Sequence, residues 1–205
     1  MPILPAEEAM QRLKDGNRRY VNGNPDPGVR AHHPELTTGQ QPYAVVVGCA
    51  DSRVPVETVF DAGAGDLFVI RVAGNVMDPS GIGSVEYAVQ QLGTRLVVVM
   101  GHSGCGAVQA TIDELRQPSE NPSVNLVDIV KRIAPAVQPL MKGEAADDPD
   151  ELSRRSVRAN ASRSAELLRN SPEVLKGRVV SGDLVVVGAI YSLETGEVEF
   201  FDVPG

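Results

Sequence analysis

Tryptophan is absent from the chain, and only four phenylalanines and four tyrosines stand among its 205 residues. A core must therefore be assembled from Val, Leu, Ile, Ala and Met, which a chain of this length can supply as a single domain. Cysteine is nearly as scarce. Two residues, Cys49 and Cys105, exclude a disulfide framework and a structural zinc closed by four thiolates. Positive charge is short as well: 19 Lys and Arg against 27 Asp and Glu leave a formal net charge of −8. Binding to nucleic acid or to an anionic membrane needs the opposite balance, so neither is an expected partner. The basic cluster Arg154, Arg155, Arg158 and Arg163 has the spacing of an exposed helix stripe. No run approaches the ~20 apolar residues that cross a bilayer. The N-terminus carries Glu7 and Glu8 and no apolar stretch, so a secretory leader is not expected. A cytoplasmic protein is the expectation, and in that reducing compartment a cysteine pair serves metal or redox chemistry more readily than a structural disulfide.

What is present divides into an N-terminal helix and arm, residues 1–41, and an α/β core, residues 42–205, within one domain. Ala6, Ala9, Met10, Leu13 and Asn17 recur at helical spacing, which predicts an amphipathic helix from Ala6 to Tyr20. The stretch from Asn22 to Gln41 is rich in Gly, Pro and polar residues and reads as a long arm that lies over something, in an oligomer over the partner. Beyond it, uninterrupted apolar and β-branched runs at Ala44–Val47, Leu67–Val72, Leu96–Gly101 and Asp183–Ile190 read as strands buried on both faces. Helical segments are predicted between them at Ile82–Leu92, Ala107–Arg116, Val124–Val137 and Leu152–Arg169, with a surface loop over Glu144–Glu151. The alternation predicts a mostly parallel four-stranded sheet flanked by helices. Glu197–Val203, after the turn at Thr195-Gly196, adds an antiparallel edge strand. There is no internal repeat.

The two cysteines fall just past the first and third predicted strands, in Gly48-Cys49-Ala50-Asp51-Ser52-Arg53 and Gly101-His102-Ser103-Gly104-Cys105-Gly106. In open α/β sheets ligands collect beyond the C-terminal strand ends where strand order reverses, so the two segments meet if those strands are neighbours. Cys49, His102 and Cys105 then form a Cys2His set, the pattern of a catalytic zinc with its fourth position open, unless Asp51 fills it. An extended Cys49-x-Asp51-x-Arg53 would put thiol, carboxylate and guanidinium on one side, with Arg53 holding Asp51 ionised by a bidentate pair. Other readings stand beside these. A redox pair is one alternative for the cysteines, but they lack Cys-x-x-Cys spacing, and the glycines around Cys105 lack the lysine of a phosphate loop. Asp51 as a helix cap, and Phe68, Tyr87 and Gln40 as plain core or loop residues, also remain open.

The paired motifs Cys-x-Asp-Ser-Arg and Gly-His-x-x-Cys-Gly resemble the β-class carbonic anhydrases. The likeness extends over nearly the whole chain, through Gly16-Asn17-Arg18-Arg19-Tyr20, Gly65-Asp66-Leu67-Phe68 and Ser84-Val85-Glu86-Tyr87-Ala88-Val89. The resemblance implies reversible, zinc-dependent hydration of carbon dioxide to bicarbonate and a proton, through a zinc-bound hydroxide. It implies Cys49, His102 and Cys105 as zinc ligands, Asp51 and Arg53 as the catalytic dyad, and Asp51 as the fourth ligand of closed, inactive forms. Gln40 would hydrogen-bond substrate; Phe68, Ala73 and Tyr87 would wall its pocket, Ala73 standing where the family often has Val. The Gly104 N–H would touch a zinc-bound oxygen. Val46 stands where the bicarbonate-gated subgroup has Trp, which points to the plant-like subgroup. A homodimer or homotetramer with pocket residues crossing the interface is implied as well. A hydrolase of carbon disulfide or carbonyl sulfide, or a non-catalytic zinc protein, would share the ligand set, and His32 or His33 would be the candidates for a proton relay.

Overall fold

The structure is a computed structural model describing residues 3–29, 32, 34–121, 123–142, 144–171 and 174–203. His33 lies outside the described residues. The strands are β1 (Ala44–Gly48), β2 (Leu67–Arg71), β3 (Leu96–His102), β4 (Val185–Tyr191) and β5 (Val198–Phe201). They form one sheet in the order β2-β1-β3-β4-β5, parallel throughout except for the antiparallel β4–β5 pair. The expected mostly parallel sheet with an antiparallel edge is therefore observed. Every residue of β1 and β3 is buried, which is why those runs show no polar alternation.

Helices cover both faces. On one side α1 (Ala6–Val21) and the single turn α2 (Val56–Val59) pack Leu13, Val56 and Phe60 against Val46, Val98 and Val187. On the other, α3 (Pro79–Gln91) and α6 (Pro149–Arg169) pack Val85, Val89, Ala161 and Leu168 against Val45, Val97 and Val186. A third apolar cluster joins α4 (Gly106–Arg116), α5 (Val124–Val137) and α6, with Ile112, Ile133 and Leu152 beside Cys49 and Cys105. The short helix α7 (Leu175–Val180) leads into β4.

Helix starts differ most from the periodicity reading. α6 begins at Pro149, not within the loop expected to run on to Glu151, because Asp148 accepts hydrogen bonds from the Asp150 and Glu151 N–H groups. α3 begins at Pro79 for the same reason, with Asp78 capping the Gly81 N–H at 2.6 Å. A first turn carries few core contacts, so apolar spacing does not mark it, whereas the Asp-Pro pair does. α2 and α7 are too short to show a period at all. The basic stripe of α6 is solvated as expected at Arg154, Arg155 and Arg158, which pair with Glu151 or Glu199, whereas Arg163 departs from it, being partly buried with its Nε shielded from solvent.

α1 is locked to the core rather than draped over it. The Asn17 amide donates to the Val59 and Gly196 carbonyls, and its oxygen accepts from the Val198 N–H. Gly16 sits where α1 crosses α2, and a Cβ there would collide with the Phe60 carbonyl oxygen. Gly16→Ala should lower the unfolding free energy by about 1–3 kcal/mol, read from urea denaturation. An unchanged midpoint would mean that α1 slides along α2 without cost.

Candidate metal centre

β1 and β3 are adjacent, with Gly48 opposite Met100, so the segments that follow them leave the same edge of the sheet side by side. The chain steps from β1 to β2 on one side and to β3 on the other, and the candidate ligands lie at that reversal of strand order. The Sγ atoms of Cys49 and Cys105 and a ring nitrogen of His102 lie within 4.8 Å of one another, all three residues buried. A tetrahedral zinc with sulfur at about 2.3 Å and nitrogen at about 2.0 Å sets its donors about 3.5–3.8 Å apart, which this cluster admits.

His102 makes the stronger test of fit. Its Nδ1 lies 3.0 Å from the Ser103 carbonyl oxygen, which can only accept, so Nδ1 carries the proton and Nε2 is left with a lone pair. That Nε2 is buried without a hydrogen-bond partner, on a side chain with no exposed surface. A buried, unpaired acceptor is costly unless something electrophilic meets it. Two thiols beside it supply the rest of a soft cation's shell. The residues present fit zinc.

The thiols influence each other. Cys49 is held below the ordinary thiol range, first by its hydrogen bond with Cys105, against the opposing effect of burial. Cys105 is pushed above that range by the same bond and by burial. A cation bound by both sulfurs needs both as thiolates and displaces any proton between them.

The backbone around Cys49 is held from β2. The Ala50 N–H donates to the Val72 carbonyl and the Val72 N–H to the Gly48 carbonyl, extending the strand pairing past β1. Arg71 donates from Nε to the Cys49 carbonyl at 2.9 Å and from Nη2 to the Asp51 carbonyl at 2.6 Å. The Gly74 N–H reaches Cys49 Sγ at 3.2 Å. Neither Arg71 nor Gly74 was singled out by the sequence reading. The available signal for Arg71 was a lone charge at the C-terminal end of an apolar strand.

Past Cys49 the chain does not stay extended, as alternation would require. It turns at Ser52-Arg53, where the Val54 N–H donates to the Asp51 carbonyl. The Asp51 carboxylate accepts the Arg53 N–H at 2.9 Å, an Asx turn, and the guanidinium folds back onto it. Arg53 Nε lies 3.0 Å from Oδ1 and Nη2 lies 2.7 Å from Oδ2, a bidentate pair. Nη2 also reaches the Gly104 carbonyl at 3.3 Å, tying the two loops together. Asp51 is held well below the usual carboxylate range, first by its side-chain bond with Arg53 and then by the Arg53 N–H. Its Oδ2 is 3.9 Å from His102 Nε2, so the carboxylate borders the donor cluster while engaged with Arg53. Gly104, at φ +64, makes the turn between His102 and Cys105 and has open space on its Cβ side.

The expected pocket residues separate. Ala73 opens the turn Ala73–Asn75 next to Gly74, close to Cys49. Phe68 pairs in register with Val45, near the start of β1, and its ring lies 6.2 Å from that of Tyr87, which is half exposed. Gln40 is exposed and precedes β1, at the end of the strand opposite Cys49. His32 is exposed.

Comparison with known proteins agrees with this geometry. A family profile described as carbonic anhydrase matches residues 44–198. The chain is 38% identical over 198 residues to carbonic anhydrase 2 of Mycobacterium tuberculosis, covering 96% of this chain and 93% of that one. It is 41% identical over 202 residues to a carbonic anhydrase of Mycolicibacterium smegmatis, covering 97% and 95%. Among solved structures, the β-carbonic anhydrase CcaA superposes with a TM-score of 0.74 at 28% identity, over 97% of this chain and 93% of that chain. A tetrameric β-carbonic anhydrase of Sordaria macrospora shares the fold with a TM-score of 0.73 at 23% identity, over 96% and 95%.

The Asp51–Arg53 pair has a pH signature. A carboxyl depressed in the folded state contributes stability that is present above its unfolded value, about pH 4, and is lost as pH falls through the folded value. In metal-free protein, carbon-detected NMR of the Asp51 carboxyl should show Arg53→Gln restoring titration toward the ordinary range. Urea midpoints of wild type and variant should differ at neutral pH and converge in acid. Identical titration curves in the two proteins would show that Arg53 does not hold the charge.

Proposed function

We propose a function from one premise: the chain belongs to the carbonic anhydrase family, in its β class. It catalyses the reversible hydration of carbon dioxide to bicarbonate and a proton, on a zinc ion held by Cys49, His102 and Cys105. The observation that carries this reading is the buried, unpartnered His102 Nε2 converging with two thiols beside the Asp51–Arg53 pair.

When bound, zinc acidifies a coordinated water and so supplies a hydroxide nucleophile near neutral pH. The protein's own residues do the rest. Asp51 stays ionised because Arg53 donates to both of its oxygens, so it is acceptor-only toward the site. Oδ2, with one bond from Arg53 and 3.9 Å from His102 Nε2, keeps a lone pair for the nucleophile's proton. Such a lone pair would orient an attacking oxygen and favour a hydroxyl-bearing species. Arg53 fixes the carboxylate against the Gly104 loop, so Asp51 is held off the donor cluster. Gly104, with no side chain, leaves the approach open, and its N–H is assigned to the substrate oxygen.

Ala73 lies at this centre, whereas Gln40, Phe68 and Tyr87 lie toward the other end of the sheet. We assign those three to the pocket of a second copy. β2 is an edge strand, and Tyr87 exposes half of its surface beside Phe68, so a homo-oligomeric contact there would cover both and complete each pocket. A dimer is the minimal unit and a tetramer its doubling. The chain is read as one domain, with residues 1–41 as helix and arm and 42–205 as core. No helix among the described residues is long and apolar enough to cross a membrane. Two thiols kept reduced for a metal suit the cytoplasm.

A stopped-flow indicator assay with zinc quantification tests the reading. Wild-type protein should carry about one zinc per chain, as the single ligand set requires, and release protons on mixing with carbon dioxide. Cys105→Ser should lose both zinc and turnover. Asp51→Ala should retain zinc while activity falls about 10²–10⁴-fold, the usual contribution of a positioned acid or base. Undiminished turnover in Asp51→Ala would remove that residue from the mechanism, and turnover in zinc-free protein would sink the whole reading.

A further inference from the structure

We propose that Asn160, a buried amide on α6, is a positioning residue that sets the donor strength of Cys49 through the turn at Gly74, and so tunes how tightly the metal is held. The proposal rests on the reading of Cys49 as a metal ligand.

Two hydrogen bonds meet at Gly74. Its N–H donates to Cys49 Sγ at 3.2 Å, and its carbonyl accepts from Asn160 Nδ2 at 2.7 Å, both in buried surroundings. A carbonyl only accepts, so the nitrogen of the Asn160 amide must face it and the orientation is unambiguous. The backbone between these bonds is under strain. Gly74 has φ +68 and Asn75 φ +44, consecutive residues in the left-handed region, which Gly tolerates and Asn75 adopts at a cost. Such a turn persists only where its surroundings over-determine it. The Asn75 N–H donates to the Val72 carbonyl at 2.8 Å and closes the turn toward β2. A Cβ on Gly74 would come within 2.7 Å of Ile133 Cδ1, so α5 presses on it from outside. Asn160, only 2% exposed, supplies the remaining anchor from α6, which packs over β3 and β4.

The direction of the effect follows from chemistry. An N–H aimed at a thiolate draws electron density from the sulfur and stabilises its anionic, metal-binding form. Groups one step behind a ligand commonly change metal affinity 10–100-fold when removed. Without the Asn160 anchor, the Gly74 carbonyl is left buried and unpaired, the left-handed pair relaxes, and the N–H swings off Cys49. The sulfur becomes richer in electrons and loses the contact that holds it in place among the ligands.

Cobalt(II) is the probe, because a thiolate bound to it gives a sulfur-to-metal charge-transfer band whose energy falls as the sulfur lone pairs rise. The full-length protein is loaded with Co2+ as wild type, as Asn160→Leu, which keeps bulk without a donor, and as Asn160→Ser, which leaves room for water. Metal affinity is read by chelator competition, and folding of the metal-free proteins by thermal denaturation. The expected result is a band moved to lower energy and Co2+ held about 10–100-fold more weakly in at least one folded variant. A variant that is merely less stable lowers the melting temperature without moving the band. Wild-type band energy and affinity in the folded variants would overturn the proposal, and so would failure of both variants to fold without metal, since the amide would then serve the fold alone. If wild-type protein itself shows no sulfur-to-cobalt band, the metal reading of Cys49 fails instead.

Discussion

Val45 to Gly48 run alongside Val97 to Met100 in a parallel register, and every feature of the centre descends from that pairing. The strands are buried on both faces, so the hydrophobic effect holds them in the middle of the sheet and leaves little freedom to slip. The segments leaving their C-terminal ends are consequently neighbours. One carries a thiol, the other an imidazole and a thiol. No direct bond between the two motifs is needed to bring these atoms within 4.8 Å.

On that scaffold, the backbone carbonyls and the imidazole around the centre are taken up by hydrogen bonds that leave the metal donors free. Carbonyls at Cys49 and Asp51 are taken by Arg71, the Gly74 carbonyl by Asn160, and Nδ1 of His102 by the Ser103 carbonyl. What is left over at the donor cluster is one imidazole nitrogen and two sulfurs, and Asn75 Nδ2 in the adjoining turn is also buried without a partner. The Asp51–Arg53 pair completes the picture at the more exposed rim, where a bidentate geometry keeps the carboxylate charged and pointed. The third apolar cluster beneath, from Ile112, Ile133 and Leu152, keeps the ligand side dry and raises the cost of leaving any donor unpaired.

Two departures from the sequence reading have the same cause. The Cys49-x-Asp51-x-Arg53 segment turns at Ser52-Arg53, because a short carboxylate can capture the N–H two residues on and so competes with extension. α3 and α6 start early because Asp-Pro pairs cap them, an effect local to the backbone and invisible to apolar periodicity. In both cases a side chain bonding to its own backbone outweighed the longer-range pattern.

The linear chain was enough for the α/β class, the strands, the five longer helices and the candidate donors, since these depend on residue type and spacing along a covalent backbone. Short valine-rich runs favour buried strands, although the run at Leu67–Val72 became the half-buried edge strand β2, and Cys, His and Asp at strand ends are chemically distinctive. Strand order was different: the chain allowed β1 and β3 to be neighbours without requiring it, and only packing decided that they are. Arg71, Gly74 and Asn160 were silent in the chain for a related reason. Their roles are hydrogen bonds to backbone atoms brought near by the fold, and a backbone carbonyl leaves no mark on the residue that will meet it. The separation of Gln40, Phe68 and Tyr87 from the cysteines is tertiary in the same sense, because a parallel strand puts its two ends on opposite sides of the molecule.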